Sequence, residues 1–396
     1  MPTTPAGVPT TVARILKPLE HFLRVETAGG VVLLASTICA LVWANSPWQE
    51  SYPRVWHAAI DLAGLELSAH FVINDVLMAI FFLVVGLEIR REVHDGVLAE
   101  LRVASLPIAA AFGGIVAPAL IYIAFNPLPP VRDGWAVPTA TDIAFAVGVL
   151  SLLGKRVDPA LRTLLLALAI ADDIVAVLVI AFFFADGIAV NGLILAVIGS
   201  VGVLGLQKLQ IQRALAYALA GVTIWVGFFH SGVHPVLAGV VLGLLAPMTV
   251  SRPHDKPAAV RAEIALHPWV AYGVMPLFAL ANAGVSLGGL ALDAATPLSI
   301  ATGIVLGLVL GKPLGIVLAV VVVVRMGICR LPAGVKWRGV ALIGCLGGIG
   351  FTMSIFIASL AFPQPELLAA AKFAVLVSSL TAGLVGVTIG LLGPRR

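Results

Sequence analysis

Long apolar runs separated by short polar connections make up most of the chain. A membrane-spanning helix needs about 20 apolar residues to cross roughly 30 Å of hydrocarbon. Twelve runs approach that length, and they predict about twelve transmembrane helices, at residues 28–45, 71–91, 104–125, 136–153, 160–185, 190–207, 213–230, 232–249, 268–285, 298–324, 339–361 and 367–392. The pattern predicts an all-α polytopic membrane protein. A single transmembrane domain (14–396) follows a Pro/Thr-rich N-terminus (1–13) that we expect to be disordered.

Two of these runs contain residues that interrupt a helix. In the fourth run, Pro138 removes a backbone donor, and Thr139 and Thr141 can bond backbone groups locally. The eleventh run has four glycines within residues 344–350, and each weakens a helix by up to about 1 kcal/mol relative to alanine. A glycine face between closely packed helices is the alternative explanation for the eleventh run.

The positions of the two interruptions suggest an internal repeat. Each lies in the middle of a three-helix unit, at about residues 104–186 and 298–392. Each unit has an odd number of spans, and six spans separate the fourth from the eleventh, so the units enter the membrane from opposite sides. The sequence therefore predicts inverted repeats with two broken, crossing helices, and a binding site where the breaks meet.

The connection after the first run alternates apolar and polar residues on both sides of Ala63-Gly64. Such alternation about a turn predicts a small outer β-hairpin over about residues 57–69, although an irregular loop fits equally well. A lone hairpin is only marginally stable in water. We therefore expect it to pack on something, such as a second subunit.

Composition and charge agree with a membrane protein. Only 11% of the 396 residues are charged, against about 25% in soluble domains, which leaves little room for a soluble catalytic or nucleic-acid-binding domain. Of the 24 Lys and Arg residues, 20 lie in connections on one side, two on the other, and two inside spans. This positive-inside bias predicts that both termini are cytoplasmic, and it explains the net charge of +4 without a nucleic-acid partner.

Four ionisable residues lie deep in the predicted spans: Asp142, Asp172, Asp173 and Lys312. Each costs at least about 2.5–3.5 kcal/mol at mid-bilayer and therefore needs a partner or a task. Adjacent helical residues point about 100° apart, so one of the paired aspartates can face an ion cavity while the other meets a cation. Lys312 needs a carboxylate, and either aspartate could supply it. The alternatives are that Asp142 only caps its helix break and that Lys312 snorkels to an interface.

These residues suit the chemistry of a small hard cation. Na⁺ and Li⁺ prefer oxygen ligands, which Asp173, Asp142 and the Thr141 hydroxyl can supply. A buried carboxylate can hold a proton or a metal ion, but not both at once. Competition for the same oxygens, combined with alternating exposure to the two sides, is sufficient for cation/proton exchange.

Over roughly residues 19–392, the chain resembles the NhaA-type sodium/proton antiporters of bacterial inner membranes. The motifs that carry the resemblance are Phe81-Phe-Leu-Val-Val-Gly-Leu-Glu-Ile-Arg-Arg-Glu92, Ala140-Thr-Asp-Ile-Ala-Phe145, Ala169-Ile-Ala-Asp-Asp173, Ser231-Gly-Val-His-Pro-Val-Leu-Ala-Gly239, Leu266-His-Pro-Trp-Val270, Phe278-Ala-Leu-Ala-Asn-Ala-Gly-Val285, Gly311-Lys-Pro-Leu-Gly315 and Gly348-Ile-Gly-Phe-Thr-Met-Ser-Ile-Phe-Ile-Ala-Ser-Leu360. Several such blocks in the correct order are far more specific than any one of them.

The resemblance implies a secondary active transporter rather than an enzyme, without a cofactor. It implies electrogenic, pH-regulated antiport in which Na⁺ or Li⁺ leaves in exchange for more protons. Asp173 would be the principal cation carboxylate, and Asp172 would exchange its proton or pair with Lys312. Asp173, Asp172 and Thr141 would ligate the transported Na⁺, and Asp142 would offset the helix dipoles at the crossed breaks.

The resemblance also implies where the protein senses pH and how it assembles. Five residues match positions linked to the pH response: Glu88, Glu92, His234, Glu263 and His267. Histidine titrates in the physiological range, so such a role is chemically reasonable. The outer hairpin matches the family's dimer contact, which implies a homodimer in the bacterial inner membrane with the lipid bilayer as its surroundings.

Two other function classes fit parts of the pattern. Two buried aspartates could activate water in an intramembrane aspartyl protease, but the chain lacks a Gly-x-Gly-Asp-like element and Lys312 would disturb an acid dyad. A sodium-coupled solute symporter would use the same oxygens and would add a pocket for an organic substrate.

Overall fold

The computed structural model describes residues 28–62, 65–185, 187–211, 213–248, 256–290 and 294–392. The N-terminus predicted to be disordered (1–13) and the turn Ala63-Gly64 lie outside these residues. The main helices are α1 Ala28–Ala44, α2 Ser51–His57, α3 Ala69–Asp95, α4 Leu101–Phe125, α5 Ile143–Leu152, α6 Pro159–Phe183, α7 Val190–Lys208, α8 Ala214–Ser231, α9 Leu237–Leu244, α10 Ala258–Asn282, α11 Ala295–Arg325, α12 Trp337–Gly347, α13 Phe351–Ala361 and α14 Pro365–Leu391. A 3₁₀ segment, Val131–Thr139, precedes α5.

Within the described residues, eight helices are long and apolar enough to cross a membrane: α3, α4, α6, α7, α8, α10, α11 and α14. Two bent pairs raise the number to as many as ten if each is one span: the 3₁₀ segment with α5, bent by 42°, and α12 with α13, bent by 44°. The protein is therefore a mostly helical, multi-pass membrane protein. Both predicted interruptions are present, whereas twelve crossings stay a prediction.

Two of the predicted elements have different bounds in the structure. In the described part of the run at 232–249, the one helix is the eight-residue α9. It does not continue from α8, because Gly232 adopts a left-handed conformation (φ +80°) that ends α8 immediately before it. Helix α10 begins at Ala258, ten residues before the predicted start. Its first turns contain Arg261 and Glu263, and an apolar run cannot include these charged residues.

The strands β1, Ala59–Leu62, and β2, Leu65–Ser68, pair antiparallel between α2 and α3. Ala59 lies opposite Ser68, and Leu62 lies opposite Leu65. The Ser68 hydroxyl then accepts a hydrogen bond from the backbone N–H of Phe71 at 3.0 Å and caps the start of α3.

The main core lies where α3, both bent pairs, α6, α10, α11 and α14 meet. Helices α7 and α8 pack on each other and on α9 in a smaller, separate cluster. Many large apolar side chains on outer helix faces are exposed, as expected where lipid covers the surface.

Glycines let α4 and α11 pack backbone to backbone. A Cβ added to Gly113 would lie 2.2 Å from the carbonyl oxygen of Gly315, and one added to Gly315 would lie 2.0 Å from that of Gly113. Only glycine fits at such a distance. In the same region, Pro313 cannot donate to the carbonyl four residues earlier, and α11 widens into a π-helical turn at Gly307–Gly311. This turn comes immediately before Lys312.

Candidate cation-binding site

The two helix breaks lie against each other and are joined by hydrogen bonds. The backbone N–H of Asp142 donates to the carbonyl of Ile349 at 2.7 Å. The Ser354 hydroxyl donates to the carbonyl of Val137 at 2.7 Å. Broken helices leave backbone groups unpaired inside the membrane, and here each break satisfies part of the other.

Asp142 lies between the N-terminal ends of α5 and α13. Its Oδ1 accepts a hydrogen bond from the backbone N–H of Phe145 at 3.0 Å, so it is the N-cap of α5. Its Oδ2 accepts from the backbone N–H of Thr352 at 3.2 Å and also from the Thr352 hydroxyl. Helix N-termini carry partial positive charge, and one buried carboxylate therefore offsets two of them.

Asp172 and Lys312 form a fully buried ion pair. The Lys312 ammonium is 2.8 Å from Asp172 Oδ2, and both side chains are 0% exposed. The same ammonium donates to the carbonyl of Thr139, where the 3₁₀ segment ends. The Thr141 hydroxyl is 2.6 Å from Asp172 Oδ2 and 3.0 Å from the carbonyl of Gly347, the last residue of α12. Lys312 and Thr141 thus donate hydrogen bonds to carbonyls at the C-terminal ends of the breaks. Asp142 accepts hydrogen bonds from N–H groups at the N-terminal ends.

Asp173 faces a different environment on the same helix. Its side chain is buried, and no hydrogen bond or ion pair to another described residue engages its carboxylate. It lines a cavity of about 50 Å³, together with Thr141, Asp142, Glu88, His267 and several apolar side chains. Because liquid water occupies about 30 Å³ per molecule, this cavity has room for a small ion or one or two waters.

The charged groups nearest Asp173 are Glu88, Asp172, Asp142 and Lys312. Lys312 pairs with Asp172, and two helix N-termini offset Asp142. Among the described residues, Asp173 has neither a counter-ion nor a hydrogen-bond donor, unlike Asp172 and Asp142. The atom Asp172 Oδ1 is also buried without a hydrogen-bond partner among the described residues.

Four of the five residues predicted to take part in the pH response lie around one end of α3. Glu88 and His267 line the cavity, and both are buried. Arg91 lies beside two further carboxylates, with 3.2 Å between its Nε and Glu263 Oε2 and 3.7 Å between its Nη2 and Glu92 Oε1. The structure therefore brings these four residues together near the candidate site, because Glu88 and His267 line its cavity.

His234 lies apart from the other four. It precedes α9, and its Nε2 is 3.9 Å from Asp75 Oδ1, near the beginning of α3. Asp75 and Glu88 are 13 residues apart on that helix, which corresponds to about 20 Å at 1.5 Å per residue. The structure thus does not bring His234 together with the other four residues.

Sequence reasoning missed the contribution of Thr352. Its hydroxyl and backbone N–H both bind the Asp142 carboxylate across the crossing. The one signal in the sequence was its position just after the glycine-rich break. Burial of a hydroxyl in a membrane span costs much less free energy than burial of a charge, so a threonine there does not require a partner. Thr352 therefore did not stand out in the sequence as Asp142 did.

The chain is similar to known proteins over nearly its whole length. The family described as Na⁺/H⁺ antiporter 1 matches residues 20–389. The chain is 51% identical to "Na(+)/H(+) antiporter NhaA 2" of Sorangium cellulosum (strain So ce56), over 96% of this chain and 90% of that protein. It is also 51% identical to "Na(+)/H(+) antiporter NhaA" of Acidovorax sp. (strain JS42), over 100% of this chain and 96% of that protein. A third such protein, from Janthinobacterium sp. (strain Marseille), is 47% identical, over 97% of this chain and 94% of its own length. By the extent of the family match and the identity to these relatives, the chain belongs to the Na⁺/H⁺ antiporter 1 family.

Proposed function

We propose that this protein exchanges Na⁺ or Li⁺ for protons across the bacterial inner membrane by alternating access at Asp172 and Asp173. Its relatives are named Na⁺/H⁺ antiporters. The observation that carries the proposal is the environment of Asp173. It is a buried carboxylate on a cavity of ionic size, while the charges of its neighbours Asp172 and Asp142 are already offset.

In this proposal the two aspartates have different tasks. Asp173 binds the cation directly, and the Thr141 hydroxyl, which lines the same cavity, and the free Asp172 Oδ1 complete its coordination. Protons that arrive on the carboxylates remove the negative charge that holds Na⁺, and Na⁺ that arrives displaces the protons. When neither Na⁺ nor a proton is bound to Asp172, Lys312 pairs with it and holds it in place.

We also propose that the exchange is electrogenic, with more protons entering than Na⁺ ions leaving. A cycle that moves one net charge is driven by the membrane potential at about 2.3 kcal/mol per 100 mV. The presence of two carboxylates beside one cation position supports an exchange of more protons than Na⁺ ions, because together the carboxylates can hold two protons where one Na⁺ binds. The predicted electrical signature is a transport rate that rises when an imposed potential favours net charge movement.

The proposed pH response belongs to the cluster around the end of α3. Glu88 and His267 line the cavity, and Arg91 joins Glu92 to Glu263. A proton gained or lost in this cluster changes the charge beside the cavity, and therefore the local concentration of Na⁺. His234 would act separately, through Asp75.

The size and charge of the site weigh against the two other function classes. A cavity of about 50 Å³ is far below the 300–1,000 Å³ of pockets that hold organic ligands, which disfavours a solute symporter. An aspartyl protease needs two carboxylates that share a proton, whereas Asp172 is paired with Lys312 at 2.8 Å.

Everted membrane vesicles that contain the protein test the proposal. Addition of Na⁺ or Li⁺ should dissipate a preformed pH gradient, as reported by a fluorescent amine. Asp173→Asn and Asp172→Asn should each abolish this response. The matched control is Asp95→Asn, which removes an exposed carboxylate at the end of α3 and should keep wild-type exchange. Wild-type exchange in either site variant would reject the proposed site.

We further propose twelve crossings with both termini in the cytoplasm, the inverted repeat units 104–186 and 298–392, and a homodimer formed through the outer hairpin. The paired strands β1 and β2 support the last point, because an isolated two-stranded sheet needs a partner surface. Replacement of residues 59–68 by a Gly/Ser linker should give monomers in detergent. Light scattering that still reports a dimer would refute the hairpin contact.

A further inference from the structure

A second cavity, of about 170 Å³, lies away from the candidate cation site. Three helix ends surround it: the start of α6, the start of α12 and the end of α14. The cavity is therefore at the level where the helices leave the membrane, on the side that holds most of the basic residues of the sequence. Its charged lining residues are Arg156, Asp158, Lys336 and Arg338.

Three cations and one carboxylate leave the cavity with an excess of positive charge. Asp158 is already engaged, because its Oδ1 accepts a hydrogen bond from the backbone N–H of Ala160 at 3.0 Å and caps α6. The Lys336 side chain has no hydrogen bond or ion pair with any residue in the described ranges. Its ammonium is therefore available to an incoming anion.

The two arginines are held in place by the end of α14. Arg156 Nη1 donates to the carbonyl of Leu391 at 3.1 Å, and Arg338 Nη2 donates to the carbonyl of Ile389 at 3.1 Å. A guanidinium has five N–H donors, and each of these bonds uses one. The remaining donors match the geometry of phosphate oxygens.

The surroundings of the cavity favour a phosphate that is attached to a lipid. Trp337, between Lys336 and Arg338, is 45% exposed, and tryptophan is enriched at the level of lipid headgroups. Leu152 precedes Leu153, which lies close to the lining residue Gly390, and Leu392 follows Gly390 by two residues. Leu152 is 73% exposed and Leu392 is 71% exposed. Acyl chains would cover such apolar groups, and a free phosphate ion would not.

We propose that this cavity binds the phosphate headgroup of an anionic phospholipid through Arg156, Lys336 and Arg338. The bound lipid would connect α6, which carries both candidate aspartates, with α12 and α14. It would therefore link the two proposed repeat units at one membrane surface and stabilise their contact. The cation-exchange activity is not needed for this inference.

Native mass spectrometry and thermal unfolding of the purified full-length protein in detergent test the proposal. With dioleoylphosphatidylglycerol we expect saturable binding and a raised Tm, and with dioleoylphosphatidylcholine neither effect. Lys336→Gln should weaken binding about fivefold, which corresponds to about 1 kcal/mol for one basic residue near an anionic membrane surface. The triple variant Arg156→Gln/Lys336→Gln/Arg338→Gln should lose saturable binding.

The matched control is a triple variant that removes the same charge elsewhere: Arg102→Gln/Lys256→Gln/Arg325→Gln. All three residues are exposed and lie outside the cavity, so this variant should bind lipid like the wild type. Lys336→Gln removes no described side-chain hydrogen bond or ion pair, which keeps the test valid even if the cavity triple variant misfolds. Equal binding by Lys336→Gln and wild type would overturn the proposal. Equal binding of phosphatidylcholine would also overturn it, as would stabilisation by inorganic phosphate without any by the lipid.

Discussion

The Asp172–Lys312 pair is the residue-scale feature with the largest expected effect on stability. Removal of one partner leaves a buried charge without compensation, which costs about 3–5 kcal/mol. We therefore expect Lys312→Met to lower the free energy of unfolding by that amount. Lys312→Met combined with Asp172→Asn should recover most of the loss, because neither charge is then buried alone. Thermal unfolding in detergent measures both effects.

The control for this prediction is Lys256→Met, which removes an exposed lysine and should change the unfolding free energy by less than about 0.5 kcal/mol. An equal loss in the control, or no recovery in the double variant, would contradict the buried-pair interpretation.

Tyr52, in α2, predicts how stability changes at alkaline pH. Its hydroxyl donates to the carbonyl of Leu280 at 2.8 Å and accepts from the N–H of Gly284 at 3.0 Å. Burial raises its pKa to about 12, and the Gly284 bond opposes this shift. In the unfolded chain tyrosine titrates near 10. The folded state therefore favours the neutral phenol, and the stabilisation is complete below pH 10 and lost as the pH rises towards 12.

The expected loss is about 2–3 kcal/mol, since one pKa unit corresponds to 1.36 kcal/mol. Tyr52→Phe should be less stable than wild type at pH 8, because two hydrogen bonds are gone, but its Tm should fall less steeply between pH 10 and 12. Tyr272→Phe, at a 42% exposed tyrosine, should keep the wild-type slope. Parallel curves of Tm against pH for Tyr52→Phe and wild type would exclude Tyr52 as the source of the alkaline loss of stability.

The sequence drew attention to the charged residues of the candidate site but not to all of their contacts. Asp142, Asp172, Asp173 and Lys312 stood out because a charge in hydrocarbon is costly. Which aspartate pairs with Lys312 depends on the rotation of α6 about its axis, which tertiary packing sets and a single sequence does not reveal. The Thr352 contact with Asp142 crosses 210 residues and leaves no comparable trace.

At the scale of elements, the contact between α4 and α11 predicts which glycines can be replaced. A methyl group on Gly113 would meet the Gly315 carbonyl oxygen at 2.2 Å and the Ala319 Cβ at 2.6 Å. Gly113→Ala should therefore force the helices apart and lower the free energy of unfolding by about 1–3 kcal/mol. Denaturation in detergent measures the change.

Gly202 provides the control, because nothing lies within 4 Å of an added Cβ there, and it also lies inside a long helix, α7. Gly202→Ala should raise stability by about 0.5–1 kcal/mol through helix propensity alone. Equal effects of the two substitutions would show that the close helix contact does not limit the side chain at Gly113.

Local chemistry also explains which elements were predictable. Pro138 and the glycines at 344–350 disfavour a continuous helix whatever packs around them. Both breaks were therefore predicted from the sequence. The start of α10 was not predicted, because it depends on the burial of Glu263 beside Arg91, which belongs to a helix far away in the sequence. The apolar pattern alone gives no reason to continue a helix through such charges.

At the scale of the whole molecule, the distribution of basic residues predicts a topology that can be measured. Glu50 and Arg325 are exposed and fall on opposite predicted sides. In a background with Cys39, Cys329 and Cys345 replaced by alanine, Glu50→Cys should react with an impermeant maleimide added to intact cells. Arg325→Cys should react only after the membrane is permeabilised. The reverse pattern would overturn the predicted orientation.

The backbone contact between Gly113 and Gly315 also bears on electrical insulation. A bacterial inner membrane stores energy as a voltage. A continuous chain of water molecules through one of its proteins would conduct protons and dissipate that voltage. Where two polypeptide backbones are in contact, no chain of water molecules fits between them. The glycine contact near Lys312 therefore excludes water from the interface between α4 and α11, and we expect an added methyl group there to let protons cross the membrane.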